Sequence, residues 1–326
     1  VTYNRLKAIA NLPMSYPSYR SLNTDPPQSP RKTLPTMYDL PSEDPEEPGL
    51  PDEFHDLQPD FLSRTCRTPV YPPDQIFSGT DMNIYYDVRH QLWHKRPDWF
   101  LVLGVPRLYD GIDLRSSYVM WQEGVSPFVI VELLSPGTAK EDLGENFSSD
   151  PEAIQLDTLA ETPESPTSST SEDIGNGETT IRQTPPRKWE VYERILRVPY
   201  YVVFSRYTNR VRFFKLEGGG YREQSLDADR PQVWIPEIEL GLGLWQGEYK
   251  GITRLWLRWY DASGNWVPTD TEVAETRAEQ AETRAEQAEL QLRQIVLNLL
   301  QSGMAIEQVT TITGLSTAQV QQLISS

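Results

Sequence analysis

Cysteine is almost absent: Cys66 is the only one in 326 residues. That excludes an intrachain disulfide framework and a zinc site built on cysteine, and leaves a spare thiol suited to a reducing compartment. Histidine is nearly as scarce. His90 and His94 could share a metal only from a helix, and Trp93 and Pro97 mark their segment as irregular, so with His55 they read as bystanders. No apolar run reaches membrane length, and no apolar stretch of signal-peptide length follows Arg5 and Lys7. The expectation is a cytoplasmic protein with no membrane partner. Positive charge is also in deficit, with 30 Lys and Arg against 47 Asp and Glu and a net charge of −17. A protein that coats nucleic acid needs clustered cations to neutralise phosphates, so any contact with DNA must be local.

Hydrophobic residues make up 38% of the chain and proline occurs 27 times, so part of it lies outside any packed core. Residues 1–52 are rich in Pro, Ser and acids, as in Pro26-Pro27-Gln28-Ser29-Pro30, and read as a disordered arm. A folded domain is expected over 53–250. Asn83-Ile84-Tyr85-Tyr86, Trp99 to Leu103 and Phe128 to Val131 are short apolar runs bounded by Pro, Gly or charge, the pattern of strands in a sheet. From Glu141 to Thr180 there is no Lys or Arg, and low complexity sets in at Ser165; residues 145–185 read as a disordered acidic insertion. Order resumes at Lys188, where Trp189, Val191, Tyr192, Ile195 and Leu196 recur at helical spacing before the buried-strand run Tyr200 to Phe204. Val211 to Leu216, the Gly218-Gly219-Gly220 turn and Trp234-Ile235 continue a mixed sheet, with 251–270 as linker or edge structure.

The heptapeptide Ala274 to Gln280 repeats identically from Ala281 to Gln287, and Ala274, Ala278, Ala281, Ala285, Ala288, Leu292, Ile295 and Leu299 alternate by four and three. This heptad spacing over 271–300 fits a single solvated helix or a coiled coil joining copies of the chain. In 301–326, Ile306, Val309 and Ile312, then Gly314-Leu315-Ser316, then Val320 and Leu323 outline two short helices around a turn. With no Lys or Arg after Arg293, a packing hairpin is favoured over a DNA-reading pair.

Two carboxylates stand in apolar surroundings: Asp98 precedes Trp99 to Leu103, and Glu132 interrupts Phe128 to Leu134. An acid in a buried strand costs several kcal/mol unless a cation or hydrogen bonds compensate it. A divalent metal held by both, Mg²⁺ or Mn²⁺, would do so, and Lys188 would orient water or hold phosphate charge. Plainer readings stand beside these. Asp98 could cap a turn, Glu132 could pair with an internal Lys or Arg, Asp142 could orient Lys188 or cap the insertion, and Tyr192 could support the site or belong to the core.

The ordered set Arg96-Pro97-Asp98, then Val131-Glu132-Leu133-Leu134-Ser135-Pro136, then Asp142, then Lys188-Trp189-Glu190-Val191-Tyr192 resembles the Uma2 family of endonuclease-like proteins, within the PD-(D/E)XK nuclease superfamily. The resemblance spans about 55–245. It implies an α/β restriction-endonuclease-like fold, a mixed sheet flanked by helices, and hydrolysis of DNA phosphodiesters with Mg²⁺ or Mn²⁺. It further implies Asp98, Glu132 and the backbone carbonyl of Leu133 as metal ligands, with Lys188 as the catalytic lysine. The superfamily's acid-x-Lys would put a lysine at 134, where this chain has Leu134; Lys140 is the fallback to Lys188. A catalytically silent scaffold that binds proteins, and cleavage of RNA instead of DNA, are the rival expectations.

Overall fold

The computed structural model describes residues 28–40, 52–135, 137–158 and 184–325. They fall into two compact units divided after Trp266. The disorder expected for 1–27, 41–51 and 159–183 concerns residues outside the described ones.

The first unit opens with α1 (Pro30–Thr33) and α2 (Glu53–Thr65). Asp52 caps α2 by accepting from the Phe54 and His55 amides, satisfying donors that a helix N-terminus leaves open. Phe54, Leu57, Phe61 and Leu62 recur at helical spacing on its buried face. Strands β1 (Ile76–Thr80), β2 (Ile84–Tyr85), β3 (His94–Lys95), β4 (Trp99–Leu103) and β5 (Tyr118–Val119) follow, then α3 (Met120–Glu123) and β6 (Val129–Leu133). Next come α4 (Ala139–Leu143), α5 (Pro151–Thr158) and α6 (Lys188–Glu190), the last continuing as a π-helical turn over Val191–Ile195. Strands β7 (Tyr200–Ser205), β8 (Arg210–Glu217), β9 (Gly220–Glu223), β10 (Gln232–Ile235), β11 (Leu240–Tyr249) and β12 (Ile252–Tyr260) complete the unit.

The main sheet has the order β1-β4-β6-β7-β8-β9 and is mixed: β6 and β7 run parallel, and every other neighbouring pair is antiparallel. Every residue of β4, β6 and β7 is buried, as befits central strands covered on both faces. Side chains alternate along a strand, so Ile130, Glu132 and Leu134 share one face. Ile130 and Leu134 join Phe100, Trp189, Tyr192, Tyr201, Val203 and Phe214 in the main hydrophobic cluster, which places Glu132, between them, within an apolar layer. The other face is covered partly by α2, whose buried Gln58 exchanges two hydrogen bonds of 2.9 Å with the backbone of Leu257 on β12. The mixed sheet flanked by helices thus agrees with the expected architecture.

Two segments differ from expectation. Residues 28–40, assigned by composition to the disordered arm, dock through Met37 and Leu40 onto a small cluster with Tyr85, Tyr109 and Val119, and the Trp121 indole donates to the Pro35 carbonyl at 2.9 Å. The start of the acidic insertion is folded: Ala153 of α5 is buried, and Asp150 receives both Arg210 and Arg212 at 3.1 Å. The segment read as linker or edge structure does hold an edge strand, β12, nine residues long, which closes the β10-β11-β12 sheet and buries Trp256, Leu257 and Trp259.

The second unit contains α7 (Asp270–Gln301), α8 (Ile306–Thr313) and α9 (Thr317–Ser325). Thr269 and Glu272 form a reciprocal capping box at the start of α7. Val296, Val309 and Val320 make the only fully buried contacts of this unit's apolar cluster among the described residues, with Leu299, Leu300 and Leu323 packed around them. The terminal hairpin therefore packs on the end of α7. No helix is long and apolar enough to cross a membrane among the described residues.

Candidate active site

The antiparallel register of β4 on β6 pairs Trp99 with Val131, so Asp98, one step before β4, stands opposite Glu132. Their contacts follow from that position. The Leu133 amide donates to Asp98 Oδ2 at 2.6 Å, and the Asp98 amide approaches Glu132 Oε2 at 3.4 Å. Lys188 begins the helix that leads into β7, the parallel neighbour of β6, and its Nζ lies 2.9 Å from Glu132 Oε2. Tyr192 is one turn further on, on the same helical face, and its hydroxyl donates to Glu132 Oε1 at 2.8 Å. The Tyr192 ring is core, and its hydroxyl is bound to Glu132.

Asp142, on α4, faces the same ammonium, with Oδ1 at 3.3 Å. That is ion-pair range without hydrogen-bond alignment, since Oδ1 is buried and accepts no hydrogen bond. Of the two readings of Asp142, the placement beside Lys188 is the one this contact supports. The backbone of α6 is fixed as well, because the Lys188 amide donates to Glu141 Oε2 at 3.0 Å and Lys95 approaches the same oxygen at 3.3 Å. Lys140, the fallback lysine, lies with its ammonium 5.4 Å from the Phe147 ring centroid. Leu134, at the acid-x-Lys position, is core.

Three carboxylates and one ammonium leave two negative charges in excess when all are ionised. Burial, only partly offset by Lys188, pushes Asp98 up to about 6, Glu132 up to about 7 and Asp142 up to about 6, and the acids raise one another further. Burial would lower Lys188, but Asp142, Glu132 and Asp98 outweigh it and hold the ammonium well above its usual value. Glu132 and Asp142 are buried, whereas Asp98 and Lys188 keep partial exposure. The site opens on the side of Asp98 and Lys188.

No known family model and no curated protein matches the chain. What the site can bind therefore rests on its own donors. The carboxylates of Asp98 and Glu132 and the Leu133 carbonyl are hard oxygen ligands, the kind Mg²⁺ and Mn²⁺ take. Among the described residues no three His, Cys, Asp or Glu side chains are grouped as a metal-ligand set, so such an ion would rely on the carbonyl and on water besides two acids. The donor chemistry and the excess negative charge fit a divalent cation; the Glu132 oxygens, already engaged by Tyr192 and Lys188, would share it through their remaining lone pairs.

His55 is the residue that sequence reasoning missed. Taken as a bystander, it is buried, with Nε2 3.1 Å from the Leu133 carbonyl and Nδ1 2.9 Å from Asp52 Oδ1, while Arg206 holds the other oxygen of Asp52 at 2.6 Å. It touches the very carbonyl expected to ligate metal. His90 and His94 have partners of their own: His90 Nδ1 lies 3.0 Å from Asp87 Oδ2 and its ring stacks on Trp93 at 3.8 Å, and His94 Nδ1 meets the Leu92 carbonyl at 3.0 Å.

Proposed function

We propose that this chain is a PD-(D/E)XK nuclease of the Uma2 type, with a restriction-endonuclease-like fold, which hydrolyses DNA phosphodiester bonds using Mg²⁺ or Mn²⁺. One observation carries the reading. Asp98, Glu132 and Lys188, drawn from three separate segments, converge with Lys188 Nζ 2.9 Å from Glu132, so a helix supplies the lysine that Leu134 denies to the strand. Asp98, Glu132 and the Leu133 carbonyl would hold the metal. When bound, the ion supplies Lewis acidity at the phosphate and a water of lowered pKa. Lys188, at the open edge, holds developing phosphate charge or orients the attacking water; Asp142 and Tyr192 keep Lys188 and Glu132 in place. Lys95, Arg96, Lys140 and Arg187 adjoin the site residues in sequence, which supports a local contact with DNA in an otherwise acidic chain, although Lys95 and Arg96 already face Glu141 and Asp81.

A catalytically silent scaffold is the second reading, favoured by the engagement of both Glu132 oxygens by protein donors. Cleavage of supercoiled, linear and single-stranded DNA with Mg²⁺ or Mn²⁺ separates the two. Metal-dependent cutting by the wild type that disappears in folded Glu132→Ala and Lys188→Ala supports the nuclease. No cutting of any substrate, with no stabilisation of the fold by either metal, supports the scaffold.

A further inference from the structure

The charges of α7 suit a pair of helices better than a lone one. Every residue from Ala274 to Leu290 is exposed. On a single helix, side chains meet three and four residues apart. Arg277 finds Val273, Ala274, Gln280 and Ala281 there, and Arg284 finds Gln280, Ala281, Gln287 and Ala288, with no carboxylate among them. The glutamates meet one another instead: Glu275 with Glu279, Glu279 with Glu282, and Glu282 with Glu286. A solvated helix would stack like charges and leave both arginines without an acid on their own helix.

We propose that α7 is a parallel dimerisation seam for a second copy of this chain. With Ala278, Ala285 and Leu292 at the first heptad position and Ala274, Ala281, Ala288 and Ile295 at the fourth, Arg277 and Arg284 fall at the seventh, and Glu275, Glu282 and Glu289 at the fifth. In a parallel pair the seventh position faces the partner's next fifth position. Arg277 then meets the partner's Glu282, and Arg284 meets the partner's Glu289. Two such pairs on each side of a two-fold axis make four. An antiparallel pair would set Glu against Glu and Arg against Arg, so the charges specify direction as well as partner. The hairpin of α8 and α9 covers Val296 but leaves Ile295 51% exposed, so the seam stays open up to the packed end of the helix. Alanine allows close approach yet buries little surface, which makes the dimer concentration-dependent. The inference is independent of the nuclease reading, and neither fails with the other.

Light scattering after size exclusion, on the full chain over a concentration series, should show a mass rising from 37.4 kDa toward twice that value. Arg277→Glu with Arg284→Glu, and separately Glu282→Arg with Glu289→Arg, keep good helix formers in place. Each double variant should lose about tenfold or more in dimer affinity, as like charges replace four Arg–Glu pairs, and an equimolar mixture of the two should recover the dimer. In a Cys66→Ser background, Ala281→Cys should link two copies by a disulfide on oxidation, since parallel in-register seams bring position 281 against itself. A wild-type chain that stays monomeric at every concentration, charge-reversed variants that dimerise as well as the wild type, or a dimer that fails to cross-link at 281 would each overturn the proposal.

Discussion

Glu132→Gln should stabilise the metal-free protein at pH 8 while abolishing cleavage. Glutamine keeps the shape of the acid, accepting from Lys188 through its oxygen and donating to the Tyr192 hydroxyl through its nitrogen, but it cannot ionise. In the wild type, burial lifts Glu132 from 4.5 to about 7, so the folded state binds a proton that the unfolded state has released. A carboxyl raised in this direction loses stability as pH climbs from its unfolded to its folded pKa, and the full cost is present above the folded value. At about 1.4 kcal/mol per tenfold, that cost is about 3 kcal/mol at pH 8 and about 1 kcal/mol at pH 5. Urea unfolding of wild type and variant with chelator, at both pH values and with equal slopes, measures it. Saturating Mg²⁺ or Mn²⁺ at pH 8 should raise the wild type toward the variant and leave the variant nearly unmoved. A variant less stable than wild type at pH 8 by a comparable amount would show that Glu132 anchors the fold through its ion pair, and the reasoning would fail.

Three further substitutions test the surroundings. Lys188→Met strips the cation from the buried Glu132 and Asp142 and the half-buried Asp98 and should cost about 3–5 kcal/mol at pH 8, with most of it recovered at pH 5 as the acids take up protons; a loss of equal size at both pH values in urea unfolding would contradict this. If His55 fixes the Leu133 carbonyl, His55→Ala should slow cleavage by about 10- to 100-fold, and His55→Gln, which can still donate to that carbonyl, should restore much of the rate; equal rates in the two variants, with unfolding midpoints matched, would make His55 structural only. Gly144 has φ of 54°, and a Cβ there would lie 2.5 Å from Trp189 Cγ, so Gly144→Ala should lose about 1–3 kcal/mol in thermal unfolding, and an unchanged midpoint would refute the packing assigned to it.

What could be read from the chain depended on whether the signal was local. Glu132 was legible because nothing in Val129-Ile130-Val131-Glu132-Leu133 explains an acid except compensation from elsewhere, and the compensating lysine opened the next helical pattern at Lys188. His55 was not legible: its contact is with a main-chain carbonyl 78 residues away, and such a contact leaves no mark on side-chain periodicity. Composition misled in both acidic segments for a related reason. Met37 and Leu40, or Ala153 with Asp150, are single anchors in stretches whose average polarity predicts disorder, and one or two buried side chains barely move that average. In β12 the clue was present in the run Leu255-Trp256-Leu257-Arg258-Trp259, but its value depends on a partner strand, β11, that pairs with it along its full length.

Among the carboxylates that shift clearly, the direction separates the three around Lys188 from the others. Asp52, Asp60, Asp87 and Asp261 are all held below the ordinary carboxylate value, because hydrogen bonds and, for the first three, nearby cations or histidines outweigh burial. This is the behaviour of acids that support a fold. Asp98, Glu132 and Asp142 are shifted the other way, and all three gather around one lysine that cannot neutralise them together. Replacing buried ionic groups with apolar residues of similar volume is often neutral or stabilising by about 1–4 kcal/mol, so a chain shaped by stability alone gains nothing from the second and third acids. Under the proposed function, the uncompensated charge that weakens the metal-free fold is the charge that would attract and hold the ion.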